Sequence, residues 1–116
     1  MTAKLRAAAM AATPGPWSTR AERARPRAIV VAGTEQVADA AEHVHWTDSQ
    51  CEANAAYIAS ASPDVVIALL DQLDALRAAL GEALEMVESP LEGHEGEAVD
   101  WTRERIAQLR AIGARP

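Results

Sequence analysis

The sequence predicts an α+β protein, mostly helical: a short N-terminal helix and a small β-hairpin, followed by three helices with a coiled-coil-like central one. Three observations lead to this class. Val66, Leu69, Leu73, Leu76, Leu80, Ala83 and Val87 recur at alternating steps of three and four, a heptad register sustained through the central helix. Ala28-Ile29-Val30-Val31-Ala32 is dominated by β-branched side chains, which fit a pleated strand. Thr13-Pro14-Gly15-Pro16, Ser62-Pro63 and Ser89-Pro90 punctuate the chain where helices must stop or restart.

The first helix is expected over 2–12, capped by Thr2 and carried by alanine, with Leu5, Ala8, Ala9 and Ala12 on a narrow stripe. Two prolines around Gly15 end it, and Trp17 is expected to anchor it back onto the body. Residues 18–26 are polar, Arg-rich and interrupted by Pro26, and read as loop or irregular edge. The strand at 28–32 leads into a turn at Gly33-Thr34. Glu35–Ala40 then alternates weakly as a returning strand, although its alanines also suit a helix. A two-stranded hairpin is marginal alone and must lean on helices. Thr47-Asp48-Ser49-Gln50 has the form of a capping box. Ser62 as cap, Pro63 at the first helical position and Asp64 facing the dipole restart the chain into a heptad helix over 63–88. Leu91–Ala98 reads as a glycine-containing acidic loop. The last helix, about Val99–Ile112, shows Thr102, Ile106 and Leu109 on one face and Gly113 as its stop.

The chain has 116 residues, of which 27 are alanine and only 22 are Leu, Ile or Val, with no Phe. One domain is expected, with 1–90 as its helix/hairpin/helix body and 91–116 as its acidic loop and C-terminal helix. Alanine adds little apolar area. Such a thin core favours burial between subunits, so a homo-oligomer, most simply a dimer, is expected through Val66, Leu69, Leu73, Leu76, Leu80 and Val87. The competing reading is a monomeric bundle in which Thr102, Ile106 and Leu109 cover the same seam. No apolar run approaches the roughly 20 residues of a spanning helix. The basic N-terminus lacks the apolar block of a signal peptide, and a lone Cys51 suits a reducing compartment, so a cytoplasmic location is expected.

Charge is divided unevenly. Residues 1–27 hold six Lys/Arg against one acid, and 28–116 hold five against sixteen, for a net charge of −6. Arg20, Arg23, Arg25 and Arg27 beside Trp17 are the candidate phosphate- or nucleotide-binding group. A pI near 5.0 argues against a dedicated nucleic-acid binder. Between Ala78 and Thr102 there are seven acids and no Lys or Arg: Glu82, Glu85, Glu88, Glu92, Glu95, Glu97 and Asp100. They are the candidate partner-binding face, suited to a basic protein surface. His43, His45 and Cys51 lack a fourth ligand and metal-box spacing, and Cys51 lacks an orienting motif for nucleophilic chemistry. No phosphate loop, dinucleotide fingerprint or nucleophile elbow occurs, so neither catalytic residues nor a metal or other cofactor is expected.

Met10-Ala11-Ala12-Thr13-Pro14-Gly15-Pro16-Trp17, Ile29-Val30-Val31-Ala32 and the run from Asn54 to Asp71 (NAAYIASASPDVVIALLD) together resemble the Ead-type early proteins of lambdoid phages and related small phage proteins. The resemblance covers about residues 5–80, and nothing after Pro90 contributes to it. It implies a helix, a small sheet and a helix running into a helical or coiled-coil tail, and it implies no catalytic residues. The expected function is that of a phage or prophage accessory protein acting by protein–protein binding. The specific expectation is inhibition of a bacterial defence complex, in the manner of an anti-CRISPR, through the acidic helical surface. A nucleotide sponge using the Arg-rich arm, or a structural early protein with no defence role, are the alternatives.

Overall fold

The computed structural model describes residues 1–22, 26–41 and 46–114. Its elements run α1 (Thr2–Ala11), β1 (Trp17–Arg20), β2 (Ile29–Ala32), β3 (Glu35–Asp39), α2 (Asp48–Ser60), α3 (Pro63–Glu88), a single 3-10 turn (Ser89–Leu91) and α4 (Glu97–Gly113). The chain divides into two units, Met1–Leu70 and Asp71–Pro116, the division falling within α3.

In the first unit the three strands form one antiparallel sheet in the order β1-β2-β3. β2 is central because Ile29, Val30 and Val31 are buried on both faces, at 0%, 0% and 4% exposure. Burying a side chain of this kind contributes about 1.5–3 kcal/mol. Ala32 faces Glu35 across Gly33-Thr34, and Gly33 takes φ +64°, the left-handed conformation that such a turn demands. The register slips between Val30 and Val31, which pair with Ala38 and Gln36, so Val37 is a bulge residue. The softer assignment of Glu35–Ala40 thus resolves to strand. Val30 and Ala28 pack with Ala40 and with Cys51 and Ala55 of α2, and Trp17 and Ile58 close over this cluster.

The sheet has one strand more than the hairpin that the sequence predicts. Trp17-Ser18-Thr19-Arg20, read as anchor and loop, pairs in register with Ala32-Val31-Val30-Ile29. Its alternation of half-buried and exposed residues is that of an edge strand, but only Trp17 is apolar, so little in its composition marks it.

Cap chemistry is partly as read. Thr47 Oγ1 accepts the backbone N–H of Gln50 at 3.2 Å, while the Gln50 side chain turns forward to Asn54 Oδ1 at 2.8 Å and does not close the box. Thr2 lies inside α1, whose cap position is Met1 and lacks a side-chain bond.

In the second unit, the remainder of α3 and α4 form a helix pair. Leu84 and Ile106 are its buried residues, at 6% and 4% exposure. The α4 helix begins at Glu97, two residues earlier than expected. The helix ends on Gly113, as expected, and a Cβ there would come 3.2 Å from Leu80 Cδ2, so that glycine also lets α4 approach α3. Arg110 forms an ion pair with Glu88, which raises the guanidinium pKa above its ordinary value, chiefly through the hydrogen bond. No single described helix is long and apolar enough to cross a membrane.

Candidate functional site

The acidic candidates all fall in the second unit, on the end of α3, the connection and the start of α4. Glu82, Glu85, Glu92, Glu95, Glu97 and Asp100 are exposed, whereas Glu88 is half-buried and held by Arg110. Glu88 therefore serves the helix pair, and the solvent-facing group is the other six. Glu92 and Glu95 are positioned by a residue that charge counting passes over. The Arg103 guanidinium donates to the Leu91 carbonyl at 2.8 Å and the His94 carbonyl at 3.2 Å, tying the connection to α4. Gly93 and Gly96, at φ +80° and +131°, supply the turns between them. Glu97 and Asp100 sit in the first turn of α4, where their charge complements the helix dipole.

The heptad residues are divided by the fold. Leu73 and Leu80 are half-buried, as is Val66. Leu69, Leu76 and Val87 remain exposed at 58%, 68% and 50%. At 100° per residue, Val65, Leu69, Leu76, Ala83 and Val87 lie within one narrow stripe of α3, and the acids Asp71, Asp74, Glu82 and Glu85 lie on the far side of the helix.

The basic candidates converge less. Trp17 donates its indole N–H to the Thr13 carbonyl at 2.9 Å and packs on the core, so it is a structural anchor, as expected of it. Arg27 Nη1 donates to the Thr19 carbonyl at 3.1 Å, and its backbone N–H donates to Glu52 Oε1 at 3.2 Å. Arg20 is exposed on β1. Arg23 and Arg25 lie outside the described residues, as do His43 and His45. Cys51 is buried at 3% exposure among Val30, Ala40 and Ala55. Among the described residues no cluster of three or more His, Cys, Asp or Glu could hold a metal ion.

Two sequence boxes prove to be physically joined. Gly15 of the TPGPW box lies against the start of α3, where a Cβ would overlap the Asp64 carboxylate and come 3.1 Å from Ser62 Cβ. Ser62, at 2% exposure, donates its hydroxyl to Asp64 Oδ1 at 2.5 Å. The Gly15–Pro16 peptide bond within the box is cis. No spacing in the sequence signals this contact, nor the convergence of Asp39, Trp46, Asn54 and Tyr57 on one cavity.

A helix, a three-stranded sheet and further helices, with a Pro-Gly box packed against a Ser-Pro-Asp box, define a small α+β protein. The chain matches the model of the Ead/Ea22-like protein family over residues 2–112 and belongs to that phage family. The match reaches past Pro90 and takes in nearly all of α4, beyond the motif resemblance, which covers about residues 5–80. No curated protein and no solved structure matches the chain.

Proposed function

We propose that this phage accessory protein acts by binding another protein rather than by chemistry, presenting the acidic surface of its second unit to a basic host surface. The observation that carries the reading is the set of six exposed carboxylates at Glu82, Glu85, Glu92, Glu95, Glu97 and Asp100, uninterrupted by any Lys or Arg between Ala78 and Thr102. Arg103 fixes the connecting segment, which reduces the ordering cost of docking. In its specific form, the partner is a bacterial defence complex whose nucleic-acid channel offers the complementary charge. The protein works in the host cytoplasm and needs no cofactor. Self-association belongs to the same proposal, and it is supported by the exposed stripe of Leu69, Leu76 and Val87.

Affinity capture from the bacterial host, followed by binding measurements with the purified partner, tests this reading. Replacing Glu82, Glu85, Glu92 and Glu95 by lysine should weaken association at least about tenfold and flatten its salt dependence. Glu88 is left native because it holds Arg110. An unchanged affinity would remove the acidic surface from the account. Binding without any effect on a defence complex would remove the specific form alone.

A further inference from the structure

In the second unit α4 presents two unlike faces. Ile106, at 4% exposure, is buried in the helix pair, and Leu109 is half-buried beside it. Trp101 lies about 140° round the helix from Ile106 and is 68% exposed. It is the most exposed of the three tryptophans, a residue type that is highly buried on average. Trp17, by contrast, is committed to packing and to the Thr13 carbonyl.

Trp101 heads a ridge. Arg105, Gln108 and Ile112 follow it at steps of four, three and four, so the four side chains lie within about 60° of one another around α4. Ile112 is 54% exposed, and the eleven-residue step places it about 16 Å from Trp101. Between them Arg105 Nη1 donates to Gln108 Oε1 at 3.1 Å, so the middle of the ridge is ordered by its own hydrogen bond. Glu97, Asp100 and Glu104 line one flank and are exposed, and among the described residues none of the three forms an ion pair. Three carboxylates against one arginine make this face locally negative.

We infer that α4 docks by this ridge into an apolar groove of a protein partner whose rim carries Lys or Arg, with Trp101 as the anchor. The inference rests on the binding role proposed above and supplies the apolar contact that a surface of carboxylates lacks; Glu97 and Asp100 belong to both. Anchors spaced by four, seven and eleven residues on one helix face are what a groove reads. A buried tryptophan dominates such an interface, while charges at its rim steer the approach and select the partner. The flanking carboxylates therefore call for a basic rim. A second copy would oppose them with three more carboxylates, and an anionic bilayer would repel them. Because α4 is already folded, docking carries little ordering cost.

The test places the photo-cross-linker p-benzoylphenylalanine at Gln108 of the full chain in host cells, with exposed Ala53 of α2 as the control position. Irradiation should join position 108 to one host protein, at a peptide that carries both apolar and basic residues. Trp101→Ala should cut that yield at least about tenfold. With the cross-linked host protein purified, Trp101→Ala should weaken its affinity at least about thirtyfold and Trp101→Phe by less. Circular dichroism should stay unchanged, because the side chain is 68% exposed. Lysine at Glu82, Glu85, Glu92 and Glu95 separates the two readings. Affinity kept in that variant but lost in Trp101→Ala upholds the anchor and removes the acidic surface, and the reverse pattern overturns the anchor alone. Cross-linking no stronger at 108 than at 53 would overturn the inference, as would a product with a second copy of the chain or with lipid.

Discussion

The contact between Gly15 and the start of α3 sets a sharp test of how the fold is held. In Gly15→Ala the new Cβ would overlap Asp64 Oδ1, lie 2.9 Å from its Cγ and 3.1 Å from Ser62 Cβ. Two responses are open. Asp64 can swing away, which breaks the 2.5 Å bond from Ser62 and leaves a hydroxyl of 2% exposure without that partner, at about 1–3 kcal/mol. Alternatively the TPGP segment can shift, at a similar 1–3 kcal/mol for overpacking. Either route predicts a loss of about 2 kcal/mol, or roughly 10 °C in Tm for a unit of this size. Urea denaturation monitored by circular dichroism gives the free energy, and a double-mutant cycle gives the cause. Asp64→Ala alone should cost about 1–2 kcal/mol by orphaning Ser62. Adding Gly15→Ala to it should cost clearly less than Gly15→Ala alone, because the carboxylate is gone and only the 3.1 Å approach to Ser62 Cβ remains. Strict additivity of the two substitutions, or a Gly15→Ala protein as stable as the wild type, would refute the steric argument.

Other expectations follow from the same packing. Ile29→Ala, at a site of 0% exposure in the central strand, should cost about 3 kcal/mol, measured as a lower urea midpoint at unchanged slope. Thr47→Ala, which deletes the oxygen that accepts the Gln50 N–H, should cost about 1 kcal/mol and Thr47→Ser much less. Lysine at Leu69 and Leu76, exposed at 58% and 68%, should abolish self-association in sedimentation while changing monomer stability by less than about 0.5 kcal/mol. Cys51, at 3% exposure, should react with an aromatic disulfide reagent only as fast as the first unit opens, and at once in urea.

The elements that carry their own local signal were legible in the sequence. Pro63 and the heptad leucines mark α3, Thr47 and Gln50 mark the start of α2, and the β-branched run marks β2. What escaped depends on contacts between distant residues. β1 is a strand only because β2 offers it a partner, and its one apolar residue could not announce that. Gly15 and Asp64 are 49 positions apart, so their fit has no local trace beyond the presence of both boxes. The heptad pattern located an apolar helix but not its partner. The fold half-buries Leu73 and Leu80 and leaves Leu69 and Leu76 outside, a distinction that periodicity alone does not contain. Among the acids, the sequence supplied the run but not the division of labour that gives Glu88 to Arg110.

The sheet carries one more consequence. Among the described residues it has two open margins, since β1 and β3 each pair on one side only. β1 is four residues long, follows two prolines and ends on an exposed arginine, while β3 is bent by its bulge. A short, charged or distorted margin is a poor template for an incoming strand. Growth of the sheet from copy to copy is thereby discouraged, which leaves the helices as the surfaces on which the proposed self-association would have to form.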